Sequence, residues 1–162
     1  MWAGRCIKDR VSLFSCQSEG GIREVERSRG LVDVYKRRFQ AITDKMQHEL
    51  QKAGANLDGQ YYCPHHPDWE NGERREVPAP CACRKPGTLL LEQAAEEHGF
   101  SAEESILIGD STSDFAAASK WGICSIGVHT GHGGQDSKAK ADPDYWRNDL
   151  WSAVEFLLAN AS

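Results

Sequence analysis

Apolar residues along the chain follow two alternating spacings. Tyr35, Phe39, Ile42, Met46, Leu50 and Ala53 recur at steps of three and four. That period lays one apolar stripe along a helix over residues 32–53, with Asp33 available to cap its start and Gly54 to stop it. The basic run Lys36-Arg37-Arg38 falls on the other face and reads as solvated. A second helix is expected over 89–98, with Leu90, Leu91, Ala94 and Ala95 inward and Gly99 at its end. Short helices follow over 115–120 and 150–159, the last with Leu150, Val154, Leu157 and Leu158 on one side. Between these stand short β-prone or apolar runs at 11–14, 57–62, 105–108 and 123–128, of the kind buried in parallel sheets. Residues 1–10 show no period, and 135–144 read as a polar connection. Strands alternating with helices imply βαβ units. The expected architecture is therefore a Rossmann-like, doubly wound α/β fold built on a parallel sheet, as one domain over 1–162.

Composition narrows the function more than the fold. A chain of 162 residues has room for one ordinary core. Its net charge of −5 argues against a nucleic-acid partner. No apolar run approaches the ~20 residues of a membrane span, and no apolar leader precedes Ser18-Glu19-Gly20-Gly21. Six cysteines raise the question of disulfides. Three of them belong to a metal pattern, and Cys6, Cys16 and Cys124 form no evident pairing. A reducing, cytoplasmic setting follows.

That metal pattern is the chain's sharpest chemical signal. Cys63-Pro64-His65 and Cys81-Ala82-Cys83 are separated by 15 residues. Together they offer three thiolates and one imidazole, the donor set of a closed tetrahedral zinc site. The mixture of sulfur and nitrogen fits zinc better than iron. With all four positions filled by protein, the metal is expected to be structural, holding a 63–85 loop too polar to bury a core. His66 competes with His65 as the fourth ligand.

Three further polar positions fall near expected strand ends, where doubly wound sheets bind ligands. Ser15 follows the first strand, where on its own it reads as an ordinary serine entering a loop. Lys85 leaves the zinc loop. Asp110 follows Ile106-Leu107-Ile108-Gly109, and Asp114 comes four residues later. A hard carboxylate at a rigid strand end suits Mg²⁺; the alternative is that both aspartates only cap the next helix. His129 and His132 lie in a Gly-rich loop with nothing in the sequence to partner them. That loop also lacks the dinucleotide fingerprint.

Tyr61-Tyr62-Cys63-Pro64-His65-His66-Pro67, followed by Cys81-Ala82-Cys83-Arg84-Lys85-Pro86, resembles the zinc-binding phosphatases of the haloacid dehalogenase superfamily. These are the heptose-bisphosphate phosphatases and the related histidinol-phosphate phosphatases. The resemblance runs from about Leu13 to the C-terminus. It implies that Lys85 neutralises the phosphate and nucleophile, that Arg84 contacts substrate, and that Ser15 donates to the phosphate. It further implies that Asp110 and Asp114 serve the magnesium site. Cys16 stands where the family has Asn, and Gly87-Thr88 where a second Pro-Gly segment is common.

The family's attacking aspartate and its acid–base partner form Asp-x-Asp after a first strand, followed by a helix, ahead of the Ser15 position. Here only Asp9 precedes Ser15. It has neither a second aspartate nor a helix before Val11. The chain is thus expected to be an N-terminally truncated family member, with a gap in mid-sheet where that strand would lie. The implied activity is hydrolysis of a phosphate monoester of a sugar bisphosphate, with Mg²⁺ for chemistry and structural Zn²⁺. The first substrate is D-glycero-D-manno-heptose 1,7-bisphosphate, cleaved at the 7-phosphate. The alternatives are histidinol phosphate as substrate, or an inactive remnant or fragment. A monomer is expected, completed if needed by the missing segment, with no nucleic-acid or membrane partner.

Overall fold

The computed structural model describes residues 14–18, 31–63 and 81–160. Strand and helix alternate through them: β1 (Phe14–Ser18), α1 (Leu31–Lys52), β2 (Gly59–Cys63), α2 (Leu89–His98), β3 (Ile106–Gly109), α3 (Thr112–Trp121), β4 (Cys124–Val128), β5 (Tyr145–Arg147) and α4 (Leu150–Ala159). Every strand pairing is parallel. The α/β architecture read from the period of the apolar residues is the one found.

The strands form two sheets rather than one. β1 pairs with β2, and β3-β4-β5 form a separate ladder. No ladder joins the two among the described residues. Among the described residues β1 and β3 each keep an unpaired side, and Ile106 on β3 is 37% exposed.

Side-chain alternation shows how the three-stranded sheet is covered. Successive residues of a strand point to opposite faces. On β5, Tyr145 and Arg147 pack against Phe156 of α4. Trp146, between them, meets Phe115 of α3 edge-on, with ring centroids 5.5 Å apart. Helices α3 and α4 thus cover opposite faces, the doubly wound arrangement. Phe115 is fully buried, which stabilises the fold by about 1.5–3 kcal/mol.

Local details depart from the expectations for identifiable reasons. The first strand is Phe14–Ser18, so Ser15-Cys16-Gln17 lie in the ladder opposite Gln60, Tyr61 and Tyr62 instead of opening a loop. Pairing with β2 carries the strand past the apolar run. Residues 11–13 lie outside the described residues. Helix α3 starts three residues earlier than its apolar period suggested. A capping box at Ser111 and Asp114 supplies its polar first turn: Ser111 Oγ accepts from Ser113 N, and Asp114 Oδ2 accepts from Ser111 N.

Helix α4 has the expected ends but a different inward face. Leu150 and Leu158 are 59% and 63% exposed, while Ala153 is fully buried and packs with Phe156 and Leu157 against Ile126 and Val128. The small Ala153 allows close approach to β4, and the face follows 153, 156 and 157. No element was expected at 145–147, the residues of β5. Three residues of mixed polarity carry no period, and only pairing with β4 makes them a strand.

Candidate functional site

Strand β2 ends at Cys63, and the turn before α2 returns Cys81 and Cys83 to it. Cys63 Sγ lies 3.3 Å from Cys81 Sγ and 3.2 Å from Cys83 Sγ. The three sulfurs could ligate one ion. All three residues are free thiols, and Cys63 and Cys83 are buried. Burial pushes the Cys83 thiol up. At Cys81 burial acts the same way, but hydrogen bonds from Cys63 and Cys83 outweigh it and hold that thiol below its ordinary value. Three sulfurs this close form a soft donor set that fits zinc. His65 and His66 lie outside the described residues. Among the described residues, Leu90 is the other buried member of the thiol cluster, with Tyr61 partly buried against it.

The turn that brings in Cys81 and Cys83 also delivers Lys85. Its ammonium forms an ion pair with Asp114 Oδ1, with the two side chains 9% and 6% exposed. Asp114 Oδ2 accepts from Ser111 N at 3.2 Å, so both of its oxygens are engaged. Gly109 makes room for this: a Cβ there would stand 2.6 Å from Asp114 Oδ2. The pair joins the zinc-loop side of the molecule to the three-stranded sheet. Arg84, adjacent to Lys85, is half-buried.

Asp110 follows β3 directly, at the carboxyl edge of the sheet. Its Oδ2 accepts from His132 N at 2.7 Å, and its carbonyl from Gly134 N at 2.8 Å. The loop after β4 can come this close because residue 131 is glycine. A Cβ on Gly131 would meet Asp110 Oδ2 at 2.1 Å, and its φ of +71° disfavours other residues. A half-buried carboxylate at a strand end, oriented by one backbone amide, fits a hard divalent cation such as Mg²⁺. His132 contributes that amide, and its ring is exposed. The His129 ring stacks on Trp146 at 4.7 Å.

The structure therefore brings together Cys63, Cys81 and Cys83, joins Lys85 to Asp114, and sets Asp110 on the loop side of the same sheet edge. Ser15 is placed only by its strand position, second in β1. Asp9 lies outside the described residues. An Asp-x-Asp spacing does occur at Asp142-Pro143-Asp144. It stands before β5 at the opposite, amino-terminal edge, where Asp144 accepts from Ser125 N and Oγ at 2.8 and 3.0 Å. Among the described residues, no such pair ends a strand at the carboxyl edge.

One residue of this region escaped the sequence. Asp136 accepts from Ser111 Oγ, from Thr112 N at 3.0 Å and from Thr112 Oγ1 at 2.6 Å. Burial opposes its charge, yet these donors hold its carboxyl well below the usual carboxylate range. Its partners lie 24 and 25 residues away, and no local pattern announces such a contact.

Comparison with known proteins agrees with this geometry. Residues 82–153 match the family model described as HAD-hydrolase-like. A D-glycero-alpha-D-manno-heptose-1,7-bisphosphate 7-phosphatase of Photorhabdus laumondii is 36% identical over 98 residues, which are 59% of this chain and 51% of that one. A D-glycero-D-manno-heptose-1,7-bisphosphate 7-phosphatase of Thermosynechococcus vestitus is 33% identical over 121 residues, 69% of this chain and 62% of that one. Over the matched region, the chain spans 51% and 62% of the length of these curated relatives. The crystal structure of a D,D-heptose 1.7-bisphosphate phosphatase from B. bronchiseptica, complexed with magnesium and phosphate, superimposes with a TM-score of 0.72 at 25% identity. That match covers 93% of this chain and 75% of the other. Over residues 82–153 the sequence is thus similar to the haloacid dehalogenase-like hydrolases, and the fold is that of a phosphatase of this kind.

Proposed function

We propose that the chain serves the hydrolysis of a phosphate monoester on a sugar bisphosphate, with D-glycero-D-manno-heptose 1,7-bisphosphate as first substrate and the 7-phosphate as the group removed. The observation that carries this reading is the buried Lys85–Asp114 pair beside the strand-end carboxylate of Asp110. Phosphoryl transfer depends mostly on charge neutralisation and positioning. A buried ammonium held by a carboxylate supplies the first of these at a fixed place. Magnesium, when bound at Asp110, supplies further neutral balance to the phosphoryl oxygens. Asp114, with both oxygens engaged, orients Lys85. Arg84 contacts the substrate, and Ser15, second in β1, donates to the phosphate. Cys63, Cys81 and Cys83 hold structural zinc with His65, shaping the loop that lines the substrate. The relatives' names support the sugar bisphosphate, and free thiols support a cytoplasmic setting.

The attacking carboxylate is not among the described strand ends. A second reading, that the chain acts only when another segment or polypeptide supplies an Asp-x-Asp strand, is favoured by the break between β1-β2 and β3-β4-β5. Phosphate release by the zinc-loaded chain separates the two. It should be measured on heptose bisphosphate and histidinol phosphate, with and without Mg²⁺. Mg²⁺-dependent release that vanishes in Asp110→Asn supports the first reading. Release from histidinol phosphate alone changes the substrate. No release from folded protein, restored by adding a peptide carrying the Asp-x-Asp strand, supports the second.

A further inference from the structure

Resting on the reading of Asp110 as the magnesium carboxylate, we infer that Asp136 is a positioning residue for it: it clamps the Gly-rich loop to the start of α3, so that the His132 amide holds Asp110 in one orientation. The loop runs from Val128, at the end of β4, back across the carboxyl edge of the sheet. It touches Asp110 twice, through the amides of His132 and Gly134. Glycines at 131, 133 and 134, all with positive φ, cannot fix such a path by themselves, because glycine backbone is permissive. Something beyond them must hold the loop down.

Asp136 does so. Its carboxylate, 3% exposed, takes the Thr112 amide and both hydroxyls of Ser111 and Thr112. The first turn of a helix offers unpaired amides and a partial positive charge, so an ionised carboxylate is favoured there. Thr112 Oγ1 serves twice, donating to Asp136 and accepting from Ala139 N at 3.0 Å. The loop is thereby pinned on both sides of Asp136. Lys138, 3.1 Å from the same carboxylate and 43% exposed, adds an ion pair partly screened by solvent. Ser111 and Thr112 directly follow Asp110, so the clamp and the carboxylate it serves share one strand–helix turn. Groups that hydrogen-bond to a metal ligand's surroundings commonly set its affinity by about 10- to 100-fold.

The test is calorimetric titration of the full, zinc-loaded chain with Mg²⁺. Asp136→Asn keeps the shape but turns one acceptor into a donor facing Ser111 or Thr112. It should weaken Mg²⁺ binding by about 10- to 100-fold, with zinc content unchanged. Thr112→Val removes the shared hydroxyl and should weaken binding in the same direction; it decides the matter if Asp136→Asn does not fold. Asp149→Ala loosens the start of α4 without touching the loop, and should leave Mg²⁺ affinity as in the parent. Parent-like affinity in the folded clamp variants overturns the inference while leaving the reading of Asp110 intact. Parent-like affinity in Asp110→Asn overturns both. An equal loss in Asp149→Ala overturns the clamp in favour of general destabilisation.

Discussion

The two halves of this molecule are held by different means. Around β3-β4-β5, order comes from packing and hydrogen bonds: Phe115 against Trp146, Ala153 under Ile126 and Val128, and two capping boxes. Around β2 and α2, the buried cluster is Cys63, Cys83 and Leu90. Two of those three are thiols, which contribute little burial and much ligating power. The contrast teaches that the same α/β pattern can be completed either by a hydrocarbon core or by a metal. The half that carries the three thiols is the one a metal would complete. Lys85–Asp114 is the charged link between them.

The comparison is broken most directly by removing zinc. Structural zinc in small domains is worth about 10–16 kcal/mol of apparent binding energy at neutral pH. Chelation, or Cys81→Ala, should abolish zinc content and leave the amides of β2 and α2 in fast hydrogen exchange. Those of β3, β4, α3 and α4 should stay protected. Simultaneous loss of protection in both halves would show that they form one cooperative unit.

A smaller effect is expected at the link. Lys85→Met leaves the Asp114 carboxylate buried without its cation, which costs about 3–5 kcal/mol. Adding Asp114→Leu should recover much of that loss in urea titrations. A double variant no more stable than Lys85→Met would place the cost elsewhere.

The smallest effect sharpens the β2–α2 side at high pH. Burial, then the Glu97 carboxylate that accepts the Tyr61 hydroxyl at 2.6 Å, pushes the Tyr61 pKa up to about 12. A raised folded-state pKa favours the native state below the unfolded value of about 10. That contribution is lost as pH rises through about 12. Tyr61→Phe should flatten the melting temperature between those limits. An unchanged alkaline slope would show that the hydroxyl carries none of it.

Sequence legibility followed the range of each interaction. Helices α2 and α4 were bounded correctly because caps and stops act within a few residues, as at Gly99 and Asp149. The thiol cluster was legible because ligand spacing is itself a local signature. Lys85 and Asp114 were each singled out, but their pairing across 29 positions was not. The inward face of α4 was misjudged because side-chain size was weighed above spacing; Ala153, not Leu150, faces the sheet. Strand β5 and Asp136 are defined wholly by distant partners. Their roles emerge only once β4 and α3 are in place.

The unpaired sides of β1 and β3 carry one more consequence. A strand edge presents rows of backbone donors and acceptors that template pairing with any extended chain. On β3 that row runs through Ile106-Leu107-Ile108-Gly109, which bears no charge to repel a second copy. Whatever strand covers this edge therefore also governs the protein's solubility, because a bare edge is a route to aggregation.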